Sequence, residues 1–208
     1  MTFTDQDDVV PASGVEQILN TGIANTLAGN YTINGRNKHK SITFNGYSFR
    51  NYGILNTCEG NDILTGTFND PDSDSSWIVG IYNEIGTIDT GDGNDTITGI
   101  IEKAGPRDAY AIFTAKSTID TGDGNDTITG ITPRGTGIFS RDSTINTGDG
   151  NDIISGLIEE AGPRDAYAIF TTKSTIDTGD GNDTITDITP RGTGIFSRDS
   201  TIAILNHL

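Results

Sequence analysis

Hydrophobic positions in this chain come in short runs that alternate one for one with polar residues. Thr96-Ile97-Thr98 and Thr127-Ile128-Thr129 are typical, each bounded by Gly, Asn and Asp. A period of two over a few residues, between turn-forming clusters, predicts half-buried β-strands. Beyond residue 40 no stretch carries the 3.6-residue period of an amphipathic helix. Ile and Thr dominate the runs, as suits a pleated surface with one buried face.

The runs recur at fixed intervals. Thr-Gly-Asp-Gly-Asn-Asp starts at Thr90, Thr121, Thr147 and Thr178, with steps of 31, 26 and 31 residues. A weaker copy, Thr57-Cys58-Glu59-Gly60-Asn61-Asp62, lies 33 residues before the first, and a fainter echo starts at Leu19. A second marker precedes each turn: Gly80-Ile81-Tyr82, Ala111-Ile112-Phe113, Gly137-Ile138-Phe139, Ala168-Ile169-Phe170 and Gly194-Ile195-Phe196. From each marker isoleucine to the next Thr-Ile isoleucine is seven residues. Residues 89–145 match 146–202 with seven differences, and a connector five residues longer in alternate units explains the 31/26 alternation.

One such unit cannot close a core by itself, whereas stacked units can. At 26 to 31 residues and about 3.3 Å per strand residue, one unit fits one three-sided coil. The expected fold is all-β, a right-handed parallel β-helix (β-solenoid) of about six coils, with isoleucines inward and threonines outward. Ile88, Ile119, Ile145 and Ile176 should form one buried column, and Ile97, Ile128, Ile154 and Ile185 another. An antiparallel sandwich is the alternative; it explains the alternation but not the constant seven-residue spacing. Residues 1–45 read as an irregular N-terminal cap and 46–208 as the solenoid, with strong repeats over 80–202. Within the cap, Val15 to Leu27 is a short helix or a degenerate coil. Arg36 to Lys40, including His39, is the one basic cluster and reads first as a solvated loop on the cap, with an anionic ligand site as the alternative. In Thr201 to Leu205 apolar residues replace the acidic turn, and His207 sits in a frayed tail.

Composition narrows the chemistry. Asp and Glu number 29 against 13 Lys and Arg, a formal net charge of −16. Such a surface repels phosphate backbones and anionic lipid, which argues against nucleic-acid binding and direct membrane insertion. No window approaches the roughly 18 apolar residues of a spanning helix. Cys58 is the single cysteine and there are two histidines. That excludes an internal disulfide and a multi-thiolate zinc site, and leaves oxygen ligands for hard cations. Met1 to Asp8 lacks the basic start and apolar run of a secretory leader; the expected setting is extracellular or cell-surface, by a leaderless route or as a piece of a longer chain.

In a parallel β-helix, equivalent residues of successive coils lie about 4.8 Å apart. Asp95, Asp126, Asp152 and Asp183 then form one column, with Asp62 of the weaker copy in line, and Asp92, Asp123, Asp149 and Asp180 form another. Two carboxylates at this spacing repel by roughly 3 kcal/mol at an effective dielectric of about 20. They must be solvated, protonated or bridged by a cation. Gly91 and Gly93 free the backbone for positive φ, so that carbonyls can converge. Carbonyls with one carboxylate from each of two turns supply the roughly six to eight oxygens that calcium prefers.

Gly91-Asp92-Gly93-Asn94-Asp95-Thr96-Ile97-Thr98 resembles the hemolysin-type calcium-binding nonapeptide, also called RTX, G-G-x-G-x-D-x-U-x. Thr90 departs from its first glycine, and the copies from Thr121, Thr147 and Thr178 fit equally. The resemblance implies Asp95, Asp126, Asp152 and Asp183 as carboxylate ligands. It implies further donors around Asp92, Asn94, Asp123, Asn125, Asp149, Asn151, Asp180 and Asn182. It covers about nine residues per coil. The family's nonapeptides run in tandem with ions on two edges, whereas here at most one edge binds.

Polysaccharide lyases, hydrolases and epimerases also use parallel β-helices, so fold alone does not exclude catalysis. The chain has no His-Glu-x-x-His, no Gly-x-Ser-x-Gly and no Gly-Lys-Ser phosphate loop. One set outside the acidic turns, Arg107, Asp108 and Tyr110, recurs as Arg164, Asp165 and Tyr167. It reads as an ion pair with a tyrosine packed on the coil, or as a holder for a sugar or carboxylate. Duplication argues against a unique catalytic centre and for a surface whose value grows with repetition. Unequal coil lengths make a regular ice-binding threonine face improbable. The expected function is a non-enzymatic, calcium-binding structural or adhesive module whose partners are calcium, and glycans or further copies through the solenoid ends. A β-helix domain of a polysaccharide-binding or polysaccharide-modifying enzyme is the alternative.

Overall fold

Three isoleucine-centred runs per repeat become three strands per coil. In one long unit these are Thr96–Ile101, Asp108–Ala115 and Thr118–Asp120. The short unit that follows supplies Thr127–Thr132, Thr136–Arg141 and Thr144–Asn146. A computed structural model describes residues 8–10, 18–20, 22–25, 31–37, 46–69, 77–103, 108–160 and 166–206. Every third strand pairs with its counterpart one coil on, always parallel, giving three sheets of seven strands. The molecule is a parallel β-helix, and the all-parallel pairing excludes the antiparallel sandwich. Strands Asp8–Val10, Ile18–Asn20, Ile23–Asn25 and Tyr31–Asn37, from the segment read as a cap, join these sheets. The short strands within Val15 to Leu27 therefore follow the degenerate-coil reading. Arg36 and Asn37, read as part of a basic loop, instead end the strand Tyr31–Asn37 and pair with Thr67 and Phe68; Lys38, His39, Lys40, His207, Arg107, Arg164 and Asp165 lie outside the described residues.

Register is fixed by the core. Ile88, Ile119, Ile145 and Ile176 pair in sequence and each is fully buried. Ile97, Ile128 and Ile154 do the same, with Ile185 partly buried against them in the last coil. The marker isoleucines Ile81, Ile112, Ile138 and Ile169 form the third column. All three columns belong to one apolar cluster along the axis. Fully burying one such side chain contributes about 2–3 kcal/mol. A one-residue slip would turn every isoleucine to the outside, which locks the register.

Polar ladders line the coils. Asn20 donates to Asn51 Oδ1 and Asn51 to Asn83 Oδ1, each at 2.8 Å. The next residue in that register is Thr114, and from there hydroxyls take over. The hydroxyls of Ser143 and Ser174 accept at the following corner: the Ser117 amide donates to Ser143 Oγ and the Ser143 amide to Ser174 Oγ, each at 3.2 Å. Corners between the second and third strands need a left-handed residue. Ile85, Lys116, Asp142, Lys173 and Asp199 fill it with φ of 56°, 50°, 50°, 50° and 51°. A side chain there costs about 1–2 kcal/mol. Amide-to-carbonyl bonds to the next coil, such as Lys116 to Arg141 at 3.0 Å, hold each corner in place.

Gly66, Gly99, Gly130 and Gly156 stack in register where the first and second sheets meet. A Cβ on Gly130 would overlap the Gly137 carbonyl and crowd Ile138. The seventh coil breaks this column with Asp187 in register with Gly156, its carboxyl against Gly194. Ile188 and Ile195 of that coil are exposed. Gly130→Ala is therefore expected to destabilise the solenoid by about 3 kcal/mol, at the upper end of overpacking costs, in denaturant unfolding. The same substitution should leave the spectrum all-β if residual structure survives.

Candidate functional site

The acidic turns join the third strand of one coil to the first strand of the next. In them Gly91, Gly122, Gly148 and Gly179 have φ of 80°, 76°, 74° and 65°. That left-handed step carries the chain round the edge and splits the turn's side chains into an inner and an outer set.

The inner set is Asp62, Asp95, Asp126, Asp152 and Asp183, each 8% exposed or less. Their Oδ1 atoms act on the coil before. The amides of Asp62, Asp95, Asp126 and Asp152 donate to Oδ1 of Asp95, Asp126, Asp152 and Asp183 at 2.7, 2.8, 2.8 and 3.0 Å. Asp95, Asp126, Asp152 and Asp183 thus each clamp one coil to the next. The Oδ2 atoms of Asp95, Asp126 and Asp152 are buried and make no well-formed hydrogen bond. Thr90, Thr121 and Thr147 stand beside them, and in the last turn the Thr178 hydroxyl donates to Asp183 Oδ2 at 2.8 Å. The threonine at the motif's first position therefore faces inward and supplies a hydroxyl that the expected glycine cannot.

Burial makes these carboxyls reluctant to ionise. Asp95 is pushed up to about 7, first by desolvation and then by Asp126 and Asp62, against the pull of Thr90 and the Asp62 amide. Asp126 is pushed up to about 6, mainly by desolvation with Asp152 and Asp120 adding, opposed by Thr121 and the Asp95 amide. Asp152 is raised for the same leading reason. Asp89, just ahead of the turn, is also raised by burial and by Asp120. Asp89 and Asp120 escaped the sequence reading as site residues, although the recurring Thr-Ile-Asp before each turn was their signal. They accept the amides of Gly91 and Gly122 at 3.2 and 3.3 Å, and Asn146 donates to Asp120 at 3.0 Å.

The outer set is exposed. Asn94, Asn125 and Asn151 form an asparagine ladder: the Asn125 side-chain amide donates to Asn94 Oδ1 at 3.2 Å and that of Asn151 to Asn125 Oδ1 at 2.9 Å. The Asn182 backbone amide extends it to Asn151 at 3.1 Å. Asp92, Asp123 and Asp149 accept backbone amides from Asp123, Asp149 and Asp180 at 3.4, 3.3 and 3.2 Å. The carbonyls of Asp92, Asp123, Asp149 and Asp180 take the amides of Gly60, Gly93, Gly124 and Gly150 at 2.8–2.9 Å. Each keeps one further lone pair.

Among the described residues no three Asp, Glu, His or Cys side chains converge on a point that could hold a metal. The sequence-predicted aspartates are brought together as two parallel columns, one buried and one exposed. An ion there would draw on carboxylates of successive turns and on turn carbonyls. The donors are all hard oxygens, as calcium requires, and the buried Oδ2 atoms, each with at most a threonine hydroxyl beside it, leave room in their lone pairs for a cation. Comparison with family models, with curated proteins and with solved structures finds no match for this chain.

The raised values fix a sign. A carboxyl whose folded value lies above its unfolded one favours folding when protonated, and that stability is lost as pH rises through the folded value. In chelator, the melting temperature should fall between about pH 4 and pH 7, across the range from the unfolded value to those of Asp126 and Asp95. Asp126→Asn keeps an acceptor for the Asp95 amide and removes the charge. It should raise the melting temperature at pH 8 more than at pH 4, read by circular dichroism. A flat profile in wild type would remove the buried-carboxyl account.

Proposed function

We propose that the chain is a non-enzymatic structural and adhesive module of the cell surface or extracellular space, whose acidic edge takes up calcium between stacked turns. One observation carries the reading: a column of buried aspartates in which Asp95, Asp126 and Asp152 each hold an oxygen without a well-formed partner. Ionised and empty, that column is costly. A hard cation would neutralise it and satisfy those oxygens together. The likeness of the turns to the RTX nonapeptide supports calcium in particular. Asp95, Asp126, Asp152 and Asp183 would supply carboxylate oxygens, and the turn carbonyls the remainder. Extracellular modules bind calcium weakly, at about 0.1–1 mM, so sites of this kind fill outside cells.

The same column favours one second reading. Protons can take the place of the cation, since Asp95 and Asp126 hold theirs up to about 7 and 6. The acidic edge is then a metal-free proton ladder, in which each carboxyl holds its own proton. Melting at pH 8 separates the two. Calcium at ten times its dissociation constant adds about 1.4 kcal/mol per independent site. Millimolar calcium should therefore raise the melting temperature, magnesium should do less, and the gain should shrink as pH falls towards 5. Asp126→Asn with Asp152→Asn should gain less from calcium while being more stable than wild type in chelator. Equal melting temperatures in calcium and chelator at matched ionic strength would leave the proton ladder.

The non-enzymatic part rests on duplication. Asp108 and Tyr110 belong to a unit that recurs within the chain, and the acidic turns recur four times. A surface repeated in this way suits multivalent attachment better than a single catalytic centre. Incubation with pectin or alginate is expected to release no product in a reducing-end or unsaturation assay. Cleavage abolished by one carboxylate substitution would replace this reading with that of a polysaccharide enzyme.

A further inference from the structure

The second sheet carries an aromatic ladder on the face opposite the core. Tyr82, Phe113, Phe139, Phe170 and Phe196 stack one above another, with centroids 5.1, 4.9, 5.0 and 4.9 Å apart and planes within 13° of parallel. Further rings cap the intervals. Trp77 spans Tyr82 and Phe113 at 5.7 and 4.9 Å. Tyr110 spans Phe113 and Phe139 at 5.3 and 5.2 Å. Tyr167 spans Phe170 and Phe196 at 5.0 and 5.5 Å. The Phe139–Phe170 interval has no such cap among the described residues. Register explains why: Thr136 of the short coil stands where Tyr110 and Tyr167 stand in the long ones. A cavity of about 180 Å³ opens there, lined by Asp108, Tyr110, Thr136, Phe139, Tyr167 and Phe170.

We propose that this gap is a binding site for one small aromatic ring carrying a hydrogen-bond donor, a phenol being the simplest case. Size is the first argument. A cavity of about 150 Å³ accommodates benzene, and the gap here is slightly larger and open to solvent. Electrostatics is the second. The phenylalanine faces are used up in stacking, so Phe139 and Phe170 turn their electropositive edges outward. Ring edges attract the electron-rich face of another ring. They repel a bare cation, and they give a pyranose no flat aromatic face to lie on. Charge complementarity is the third: Asp108 at the rim is exposed and accepts a donor such as a phenolic hydroxyl. The protein itself shows the mode, because Tyr110 and Tyr167 occupy the adjoining intervals in this way.

Titration of the full chain with phenol, toluene, cyclohexanol and methyl glucoside, followed by ligand-observed NMR, tests the site. Phenol should bind in the millimolar range, and cyclohexanol and methyl glucoside at least about tenfold more weakly. Thr136→Tyr supplies the missing cap; it should reduce phenol binding at least about tenfold without lowering the melting temperature. Phe170→Leu keeps apolar bulk but removes the ring edge, and should also lose phenol, which keeps the test decisive if Thr136→Tyr fails to fold. Asp108→Asn should weaken phenol and leave toluene unchanged. Phenol binding that is undetectable, equal to that of cyclohexanol or methyl glucoside, or indifferent to both Thr136→Tyr and Phe170→Leu would overturn the proposal.

Discussion

Every feature of this molecule follows from one constraint. Parallel pairing places each side chain about 4.8 Å above its own counterpart. The repeat then decides whether like on like is favourable. For isoleucine it is, and three columns from Ile81, Ile88 and Ile97 onward make the core. Asparagine bonds to itself, as Asn20, Asn51 and Asn83 do inside and Asn94, Asn125 and Asn151 do outside. Aromatic rings stack. For aspartate alone the repeat is unfavourable, and the sequence repeats it nonetheless.

The acidic edge resolves that conflict in part through the backbone. One oxygen of each of Asp95, Asp126, Asp152 and Asp183 receives an amide from the preceding coil, so the residue that strains the edge also clamps it. A carboxylate holding one backbone amide is still under-satisfied when buried. Whatever supplies the remaining positive charge, proton or cation, couples the chemistry of the edge to the stability of the whole stack. That coupling is why we place the function of the acidic turns in structure and its control, not in turnover.

The opposite side of the coil shows what happens when the repeat is broken on purpose or by drift. Alternating connectors change Tyr to Thr at one register position, and a continuous ring ladder acquires a gap. Asp187 in place of glycine interrupts the glycine column in the seventh coil, the end rung of its sheet, where Ile185 and Ile195 have no following strand to cover them. In a solenoid, a change at one rung is felt by its immediate neighbours and little beyond.

The sequence by itself determined the architecture, because a solenoid's contacts are between equivalent positions and equivalence is visible as periodicity. The isoleucine columns, the long and short coils and the two acidic columns were all legible in spacing alone. It also marked the aspartates and asparagines that line the acidic edge, though not Asp89 and Asp120. The tertiary structure decided what spacing cannot express, which is direction. It turned Asp95, Asp126 and Asp152 inward and Asp92, Asp123 and Asp149 outward. It faced Thr90 and Thr121 toward the carboxyls. It gathered Trp77, Tyr110 and Tyr167 over the phenylalanine ladder. Which way a side chain points in a turn depends on the φ of the glycine before it and on the coil packed against it, and neither is a property of the residue itself.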